Sequence, residues 1–313
     1  MQVYVIDTVH ESLWNILSEK GFDCHDVTSM SKEEFFGSSA LQCEGIVIRS
    51  RFKLLKEELS QLPNLKFIAR SGAGLENIDL DYCSQHGIKV YNSPEGNMTA
   101  VAEHAIGMIL TLFNHLKRGD SEVKKAIWNR ELNRGLELEG KTVGIIGYGN
   151  MGSAFAKRLS GFGCTVLAYD KYKSNFSSNL VKEVSLLELQ NEADIVSLHI
   201  PISEETQYFV NTEFIGTFKK SFYLINTARG NHVSIKDLLP GLESGKVLGA
   251  CLDVLEYEKF NFETISPKSL PEDWKKLVSH RNVILSPHVA GWTQESYIKL
   301  STFLAEKILK DWA

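Results

Sequence analysis

The feature that most constrains this chain is a glycine-rich turn placed in its middle. Residues 143–152 read VGIIGYGNMG, a short apolar strand that breaks into three spaced glycines before a helical pattern over 153–159. Such glycines have distinct mechanical roles: Gly147 lets the strand turn sharply, Gly149 lets a pyrophosphate approach the backbone, and Gly152 lets the helix pack close to the strand. The first N–H groups of the helix then face the phosphates. We therefore predict a dinucleotide-binding turn.

An acidic residue at the end of the next apolar segment indicates which dinucleotide binds. The segment 165–169 ends at Asp170, and 170 − 152 = 18 residues separate it from the last glycine. A carboxylate at this spacing accepts a hydrogen bond from the ribose 2′-hydroxyl and repels a 2′-phosphate, so it favours NAD over NADP. Lys171 and Lys173 leave the strictness of that preference open, because they could partly neutralise an added phosphate.

Composition limits the classes of protein that remain. A chain of 313 residues predicts about two domains, and 43% hydrophobic residues are enough for packed cores. The net charge of −5, without a basic patch, argues against a nucleic-acid partner. A small anionic substrate would then be held by a few placed arginines and not by the overall charge.

Cysteine usage and the absence of long apolar runs indicate the compartment. The five cysteines are scattered and form no CxxC pair, which is typical of a reducing compartment and predicts no metal site. The N-terminal residues MQVYVID begin directly with a strand pattern, and no apolar run reaches the roughly 20 residues of a membrane span. We expect a cytoplasmic protein without a membrane partner.

Strand and helix patterns alternate in two series, which predicts two doubly wound α/β domains with parallel sheets. A Rossmann NAD-binding domain over 99–288 is expected to be inserted into a flavodoxin-like substrate domain formed by 1–98 and 289–313. The final amphipathic segment, 295–312, should cross back onto the first domain. Helical patterns in these two series include 54–61, 99–118 and 295–312.

Three short segments that contain candidate catalytic residues follow predicted strands, at 226–230, 253–258 and 286–288. Ligands of open α/β sheets bind at the carboxyl ends of the strands, so the three segments could converge on a nicotinamide ring. Arg229 can grip a carboxylate bidentately, and His288 can pass a proton near neutral pH. Glu258 would favour the protonated imidazole and fix its tautomer. Each residue alone is equally compatible with an ordinary surface or capping role.

Taken together, these motifs resemble the D-isomer-specific 2-hydroxyacid dehydrogenases. They are GYGNMG with Asp170, LHIP at 198–201, NTARG at 226–230, LDVLEYE at 252–258 and SPHVAG at 286–291. The resemblance implies that Arg229, Glu258 and His288 form the catalytic set. Glu256 competes with Glu258 by composition, but the family's glutamate lies five residues after the aspartate that matches Asp253. The family usually has proline next, where this chain has Lys259 and an unusual stretch, so the shape of that loop stays open.

The resemblance also implies a cofactor site. Pro201 and Thr206 match positions that border the adenosine half, and Asp253 matches a position near the nicotinamide amide. The full set of implied NAD contacts is Gly147, Tyr148, Gly149, Asn150, Met151, Gly152, Asp170, His199, Ile200, Pro201, Thr206, Thr227, Ala228, Asp253 and Gly291.

Motifs in the first domain resemble the family members whose substrate carries a phosphate, at 48–50, 69–79 and 92–97. Backbone N–H groups of Ser71 to Gly74 could form an anion-binding nest, and Arg49 and Arg70 could supply positive charge. Arg51 could do so too, or could lie on the surface. The implied substrate contacts are Arg49, Ser50, Arg70, Ser71, Gly72, Ala73, Gly74, Asn97 and Arg130.

Arg130 follows Trp128 in an arm that embraces a second subunit in this family, so the resemblance implies a homodimer. The chain ends soon after the returning helix, and we expect no appended regulatory domain. Two alternatives stay open: an unphosphorylated hydroxypyruvate or glyoxylate as substrate, and an NAD-sensing binding protein, because corepressors of this family keep a similar catalytic set.

Overall fold

The computed structural model describes residues 1–38, 42–258, 264–266 and 269–312. Lys259 and residues 260–263, 267 and 268 of the stretch that follows it, where the sequence departs from the family pattern, lie outside the described residues. The described chain divides into two compact units. The first holds residues 1–97 and 292–312, and the second holds 98–258 and 264–291.

The first unit is built on a five-stranded parallel sheet in the order β2-β1-β3-β4-β5. This order confirms the predicted flavodoxin-like topology. The edge strand β2 was not predicted, because its residues DCHD are polar and partly exposed and form no apolar strand pattern. The strands are β1 (Gln2–Val5), β2 (Asp23–Asp26), β3 (Gly45–Ile48), β4 (Phe67–Arg70) and β5 (Lys89–Asn92).

The helices of the first unit include the returning C-terminal segment. Leu304, Ala305 and Ile308 of that helix are buried in one core with residues of β1 and of the first helix, which confirms the predicted return. The predicted helix over 54–61 is shorter, because Leu54 instead donates its N–H to Asn77 O at 2.7 Å. The helices are α1 (Ser12–Glu19), α2 (Lys32–Ser38), α3 (Lys56–Leu59), α4 (Leu80–Gln85) and α12 (Gln294–Trp312).

The second unit is built on a seven-stranded parallel sheet in the order β12-β11-β10-β9-β6-β7-β8. The glycine turn follows β6, which lies between β7 and β9, so the chain reverses its direction of travel across the sheet at this point. Such a switch point opens a crevice at the carboxyl edge. The strands are β6 (Thr142–Ile146), β7 (Thr165–Tyr169), β8 (Lys182–Glu183), β9 (Ile195–Leu198), β10 (Phe222–Asn226), β11 (Val247–Leu252) and β12 (Val283–Leu285).

The predicted single helix over 99–118 is wrong, because the structure has two helices there. The first begins at Pro94, a residue whose fixed φ suits a helix start, and His115 interrupts the path with a φ of 51°. Within the described ranges, no helix has the length and apolar character to cross a membrane. The remaining helices are α5 (Pro94–Phe113), α6 (Leu116–Val123), α7 (Asn150–Leu159), α8 (Leu186–Glu192), α9 (Thr212–Thr217), α10 (Ile235–Glu243) and α11 (Glu272–Ser279).

Candidate active site

Two of the three glycines in the turn after β6 are required by backbone contacts. Gly147 has a φ of 94°, and a Cβ there would lie 2.5 Å from the carbonyl oxygen of His199. A Cβ on Gly152 would lie 2.0 Å from the carbonyl oxygen of Gly147. Gly149 differs, since a Cβ there would meet no atom of the described residues within 4 Å. The open space in front of Gly149 and the unpaired N–H groups that begin α7, from Asn150 and Met151 onward, fit a bound pyrophosphate.

Asp170 follows β7 and is held as a carboxylate by the backbone. One oxygen accepts from Tyr148 N at 2.7 Å, and the other accepts from Tyr172 N at 2.9 Å and Lys173 N at 3.0 Å. Burial opposes ionisation, but these three bonds and the charge of Lys173 outweigh it and hold the pKa of Asp170 below its usual range. Asp170 therefore carries a negative charge, and its expected role in discriminating against a 2′-phosphate stays a prediction.

The two lysines beside Asp170 both have partners. Lys171 forms an ion pair with Glu205, which also accepts from the Tyr172 hydroxyl. The hydrogen bond that Lys171 donates to Glu205 raises the pKa of Lys171. Lys173 Nζ donates to the carbonyl oxygen of Tyr148 at 3.2 Å. Glu205, which sequence reasoning missed, therefore offsets one of the two positive charges next to Asp170.

The segment after β9 is fixed by side-chain hydrogen bonds. Thr206 Oγ1 donates to the carbonyl oxygen of Pro201 at 2.8 Å, and His232 Nε2 lies 3.2 Å from the same oxygen. His199 Nε2 lies 2.9 Å from Ser197 Oγ, and burial lowers the pKa of His199 to about 3. The carbonyl oxygen of His199 faces the glycine turn. Ile200 and Pro201 are the next two residues of this segment.

Asn226 organises the loop that carries Arg229. Its side chain is fully buried, accepts from Ala228 N at 3.0 Å and donates to the carbonyl oxygen of Arg229 at 2.9 Å. Thr227 Oγ1 lies beside them and, among the described residues, has no hydrogen-bond partner although Thr227 is only 9% exposed. A buried hydroxyl without a partner at this sheet edge fits a bound polar group.

His288 and Glu258 are in direct contact. His288 Nδ1 lies 2.7 Å from Glu258 Oε2, and the other oxygen of Glu258 accepts from Leu255 N. Glu256 instead accepts from the N–H of Ile235, the first residue of α10, at 2.9 Å. The structure thus pairs Glu258, and not Glu256, with the imidazole.

Asp253 holds the loop on which His288 lies. Its side chain is 1% exposed, and its carboxylate accepts from Ser286 Oγ at 2.6 Å, Val289 N at 2.9 Å and Ala290 N at 2.8 Å. The loop continues to Gly291, and His104 Nε2 supports it from α5 at 2.9 Å from Ser286 Oγ. The implied contact of Asp253 with a nicotinamide amide stays a prediction, since the hydrogen bonds of the carboxylate go to this loop.

In the first unit, Asp7 fixes the turn after β3. One carboxylate oxygen accepts from the N–H groups of Arg49 at 3.1 Å, Ser50 at 2.8 Å and Arg51 at 2.9 Å. The guanidinium of Arg51 donates to the carbonyl oxygen of Ile6 at 2.9 Å and to Met30. The donors of Arg51 thus tie backbone segments of the first unit together, and its two expected roles, a phosphate contact or a surface residue, stay predictions. The guanidinium of Arg49 lies over the ring of Trp292.

The anion nest is shorter than predicted. Ser71 N donates to Ile48 O at 2.8 Å and so continues the β3–β4 ladder instead of facing a ligand. The nest is left with the N–H groups of Gly72, Ala73 and Gly74, because nothing in the described part of the chain accepts hydrogen bonds from them. A Cβ on Gly72 would lie 1.6 Å from a guanidinium nitrogen of Arg70, so that side chain lies against the nest.

Two further predicted contacts differ in exposure. Asn97 Oδ1 is buried and lacks a hydrogen-bond partner among the described residues, as does the Ser71 hydroxyl. Arg130 is exposed on the segment after α6. Asn97 therefore fits a polar ligand of the first unit, whereas Arg130 faces solvent in the single chain.

Comparison with known proteins identifies the family. Residues 106–290 match the NAD-binding domain of the D-isomer specific 2-hydroxyacid dehydrogenases. The chain belongs to this family, and its second unit is the NAD-binding domain.

Individual relatives differ in the substrates for which they are named. The chain is 36% identical to D-3-phosphoglycerate dehydrogenase of Bacillus subtilis over 85% of its length, but spans only 49% of that protein. It is 35% identical to hydroxypyruvate reductase of Thermotoga maritima, over 99% of this chain and 98% of that one. A crystal structure of D-lactate dehydrogenase from Aquifex aeolicus complexed with NAD and lactic acid has a TM-score of 0.81 and 32% identity, over 99% and 96% of the two chains.

Proposed function

We propose that this protein is an NAD-dependent D-2-hydroxyacid dehydrogenase that interconverts 3-phosphoglycerate and 3-phosphohydroxypyruvate, the first step of serine biosynthesis. The observation that carries the dehydrogenase activity is the 2.7 Å contact of His288 with Glu258. Both residues follow strands of the same parallel sheet as the glycine turn, so all three lie at its carboxyl edge.

The proposed mechanism assigns one task to each side chain. NAD, when bound, supplies the site that accepts or returns the hydride of substrate C2. Arg229 binds the substrate carboxylate and the C2 oxygen, with its backbone fixed by Asn226. His288 takes the proton of the C2 hydroxyl during oxidation and returns it during reduction. Glu258 orients the ring through Nδ1 and stabilises it while the proton is held.

Two observations support a phosphorylated substrate. The first unit supplies guanidinium groups from Arg49 and Arg70 and the unbonded N–H groups of 72–74, which suit a molecule with more than one anionic group. The relatives named D-3-phosphoglycerate dehydrogenase also include an archaeal protein from Methanocaldococcus jannaschii, which is 32% identical over 99% of this chain.

A second candidate is reduction of hydroxypyruvate without a phosphate. It is favoured by the Thermotoga maritima relative, whose length this chain matches almost completely. The same fold, cofactor and catalytic residues would serve both reactions, so the two candidates differ only in what the first unit binds.

A second copy of the chain is the proposed partner. Large apolar side chains are exposed along 116–132, next to Arg130, and such a patch marks an interaction surface. A matching patch on an identical chain would form a symmetric interface. Replacing Trp128 and Leu132 by Asp should convert a dimer into a monomer in analytical ultracentrifugation, and a wild-type monomer would contradict the proposal. The exposed residues are Leu116, Val123, Ile127, Trp128 and Leu132.

The substrate is tested by NADH oxidation with 3-phosphohydroxypyruvate, hydroxypyruvate and pyruvate compared by kcat/KM. We expect a preference of about 100-fold for the phosphorylated acid, which corresponds to about 2.7 kcal/mol. Equal or better rates with hydroxypyruvate would overturn the phosphoglycerate assignment and support the second candidate.

A further inference from the structure

Arg49 lies in an unusual setting at the carboxyl edge of the five-stranded sheet. Its Cζ lies 4.1 Å from the centre of the Trp292 ring, and Trp292 in turn packs edge-on against Tyr297 at 5.2 Å. The His10 ring also packs edge-on against Tyr297, with ring centres 5.5 Å apart. The guanidinium is thus held on one face by a small aromatic cluster within the first unit.

The guanidinium of Arg49 has no hydrogen-bond or ion-pair partner among the described residues. Burial lowers the pKa of Arg49, against the opposing effect of Asp7 and Tyr297. No atom of the described residues accepts a hydrogen bond from its side-chain nitrogens, and no described carboxylate forms an ion pair with it. One oxygen of Asp7 already accepts three backbone N–H groups. A desolvated cation without a partner is unfavourable until an anion binds.

We propose that Trp292 is a positioning residue that holds Arg49 as the receptor for the phosphate of the substrate. The ring of Trp292 lies against the guanidinium, whose nitrogens donate to no atom of the described residues, and a planar guanidinium with available donors can bind phosphate bidentately. This inference rests on the proposed function for the identity of the substrate, and on the structure alone for the anion subsite.

The neighbouring strand places a second anion subsite beside the first. Residues Ile48 and Arg70 are register partners in β3 and β4, so Arg49 and Ser71 are the next positions along two adjacent strands. The unbonded N–H groups of 72–74 follow directly. One subsite built on a stacked arginine and one built on backbone N–H groups match a small acid with an anionic group at each end.

The experiment measures equilibrium binding to the NAD-free protein by calorimetry, with 3-phosphoglycerate and D-glycerate as ligands. Thermal-shift titration with inorganic phosphate tests the subsite independently of any substrate. The variants are Trp292→Leu, which removes the aromatic face, Trp292→Phe, which keeps one, and Arg49→Lys, which keeps the charge without the planar fork. Lys89→Gln is the matched control, because Lys89 lies 5.4 Å from the ring of Trp312 in a second cation–π pair of the same unit.

Trp292→Leu and Arg49→Lys should weaken 3-phosphoglycerate binding by roughly 3-fold to 30-fold, the range of a cation–π contact, and leave D-glycerate unchanged. Trp292→Phe should recover most of the affinity, and Lys89→Gln should bind as wild type. In turnover, the KM for 3-phosphohydroxypyruvate should rise while kcat holds.

Wild-type affinity in Trp292→Leu, or equal losses for both acids, would overturn the inference. So would a wild-type protein that neither inorganic phosphate nor 3-phosphoglycerate stabilises. If inorganic phosphate binds in a Trp292-dependent way but 3-phosphohydroxypyruvate is not reduced, the proposed reaction fails and the subsite stands.

Discussion

Asp253 accepts a hydrogen bond from the backbone N–H of Ala290 at 2.8 Å, and this contact fixes the loop that presents His288. The carbonyl oxygen of Asp253 also accepts from His288 N at 2.8 Å. His288 itself has a φ of 55°, a conformation that a non-glycine residue keeps only when its surroundings impose it. The position of the imidazole relative to Glu258 therefore depends on the buried carboxylate of Asp253, which contacts the backbone of the loop and not the imidazole itself.

Asp253→Asn should lower both stability and turnover. The amide keeps one acceptor oxygen and places an NH2 group against a backbone N–H, so at least one buried donor loses its partner. That loss costs about 1–3 kcal/mol in the free energy of unfolding, measured by urea denaturation. Asp120→Asn is the control, because Asp120 forms an exposed pair with Lys124 and should change stability by less than about 1 kcal/mol. Equal stability for the two variants would contradict the conclusion that the Asp253 carboxylate holds the loop that carries His288.

Gly149→Ala and Gly152→Ala should impair different properties, cofactor binding in the first variant and fold stability in the second. The alanine methyl at 149 meets no atom of the described residues, so the fold should stay within about 1 kcal/mol of wild type while NADH binding weakens by 10-fold or more. The methyl at 152 would lie 2.0 Å from a backbone carbonyl and should destabilise the fold itself. Fluorescence titration with NADH and thermal unfolding separate the two. Unchanged NADH affinity in Gly149→Ala would show that the space in front of Gly149 is not the pyrophosphate site.

His199 should make the domain less stable below neutral pH. Its pKa of about 3 in the fold lies below the unfolded value near 6.5, so between these values the unfolded chain binds a proton that the folded chain does not. Stability therefore falls as pH falls, by about 2 kcal/mol between pH 7 and pH 5 from this residue. His199→Gln should remove that part of the pH dependence in urea unfolding, whereas His86→Gln on the surface should not. Parallel curves for wild type and His199→Gln would refute the prediction.

Asp170 and Glu205 should together set the preference for NADH over NADPH. Asp170→Asn keeps the loop but removes the negative charge, and it should shift the ratio of the two dissociation constants toward NADPH by about 10-fold. Glu205→Gln releases Lys171 and should shift the ratio in the same direction. Glu188→Gln, which breaks the similar pair with Lys182, should leave the ratio unchanged. A ratio unaffected by Asp170→Asn would contradict the assignment.

The sequence predicted what local patterns encode. Apolar runs ending in spaced glycines located β6 and the turn, and the returning helix α12 followed from its amphipathic pattern. The interruption at His115 was not predictable, because a single left-handed residue leaves no trace in the apolar periodicity. The polar edge strand β2 also leaves no apolar pattern in the sequence, because backbone hydrogen bonds pair it with β1.

For the candidate site, the sequence motifs predicted which residues take part but not which residues they contact. The family resemblance favoured Glu258 over Glu256, and the structure adds the contact of Glu258 with His288. The bonds of Ser71 N to Ile48 and of the Arg51 guanidinium to Ile6 and Met30 are long-range contacts, so the shorter nest and the backbone bonds of Arg51 could not be predicted from the sequence. Trp292 and Arg49 lie far apart in the chain, and only the fold brings them together.

The most direct test of the account is turnover by His288→Ala measured beside NADH binding. If His288 transfers the substrate proton, the variant should reduce the 2-keto acid about 100-fold to 10,000-fold more slowly while its dissociation constant for NADH stays near the wild-type value. A variant that turns over as fast as wild type with NADH bound would contradict the proposed reaction.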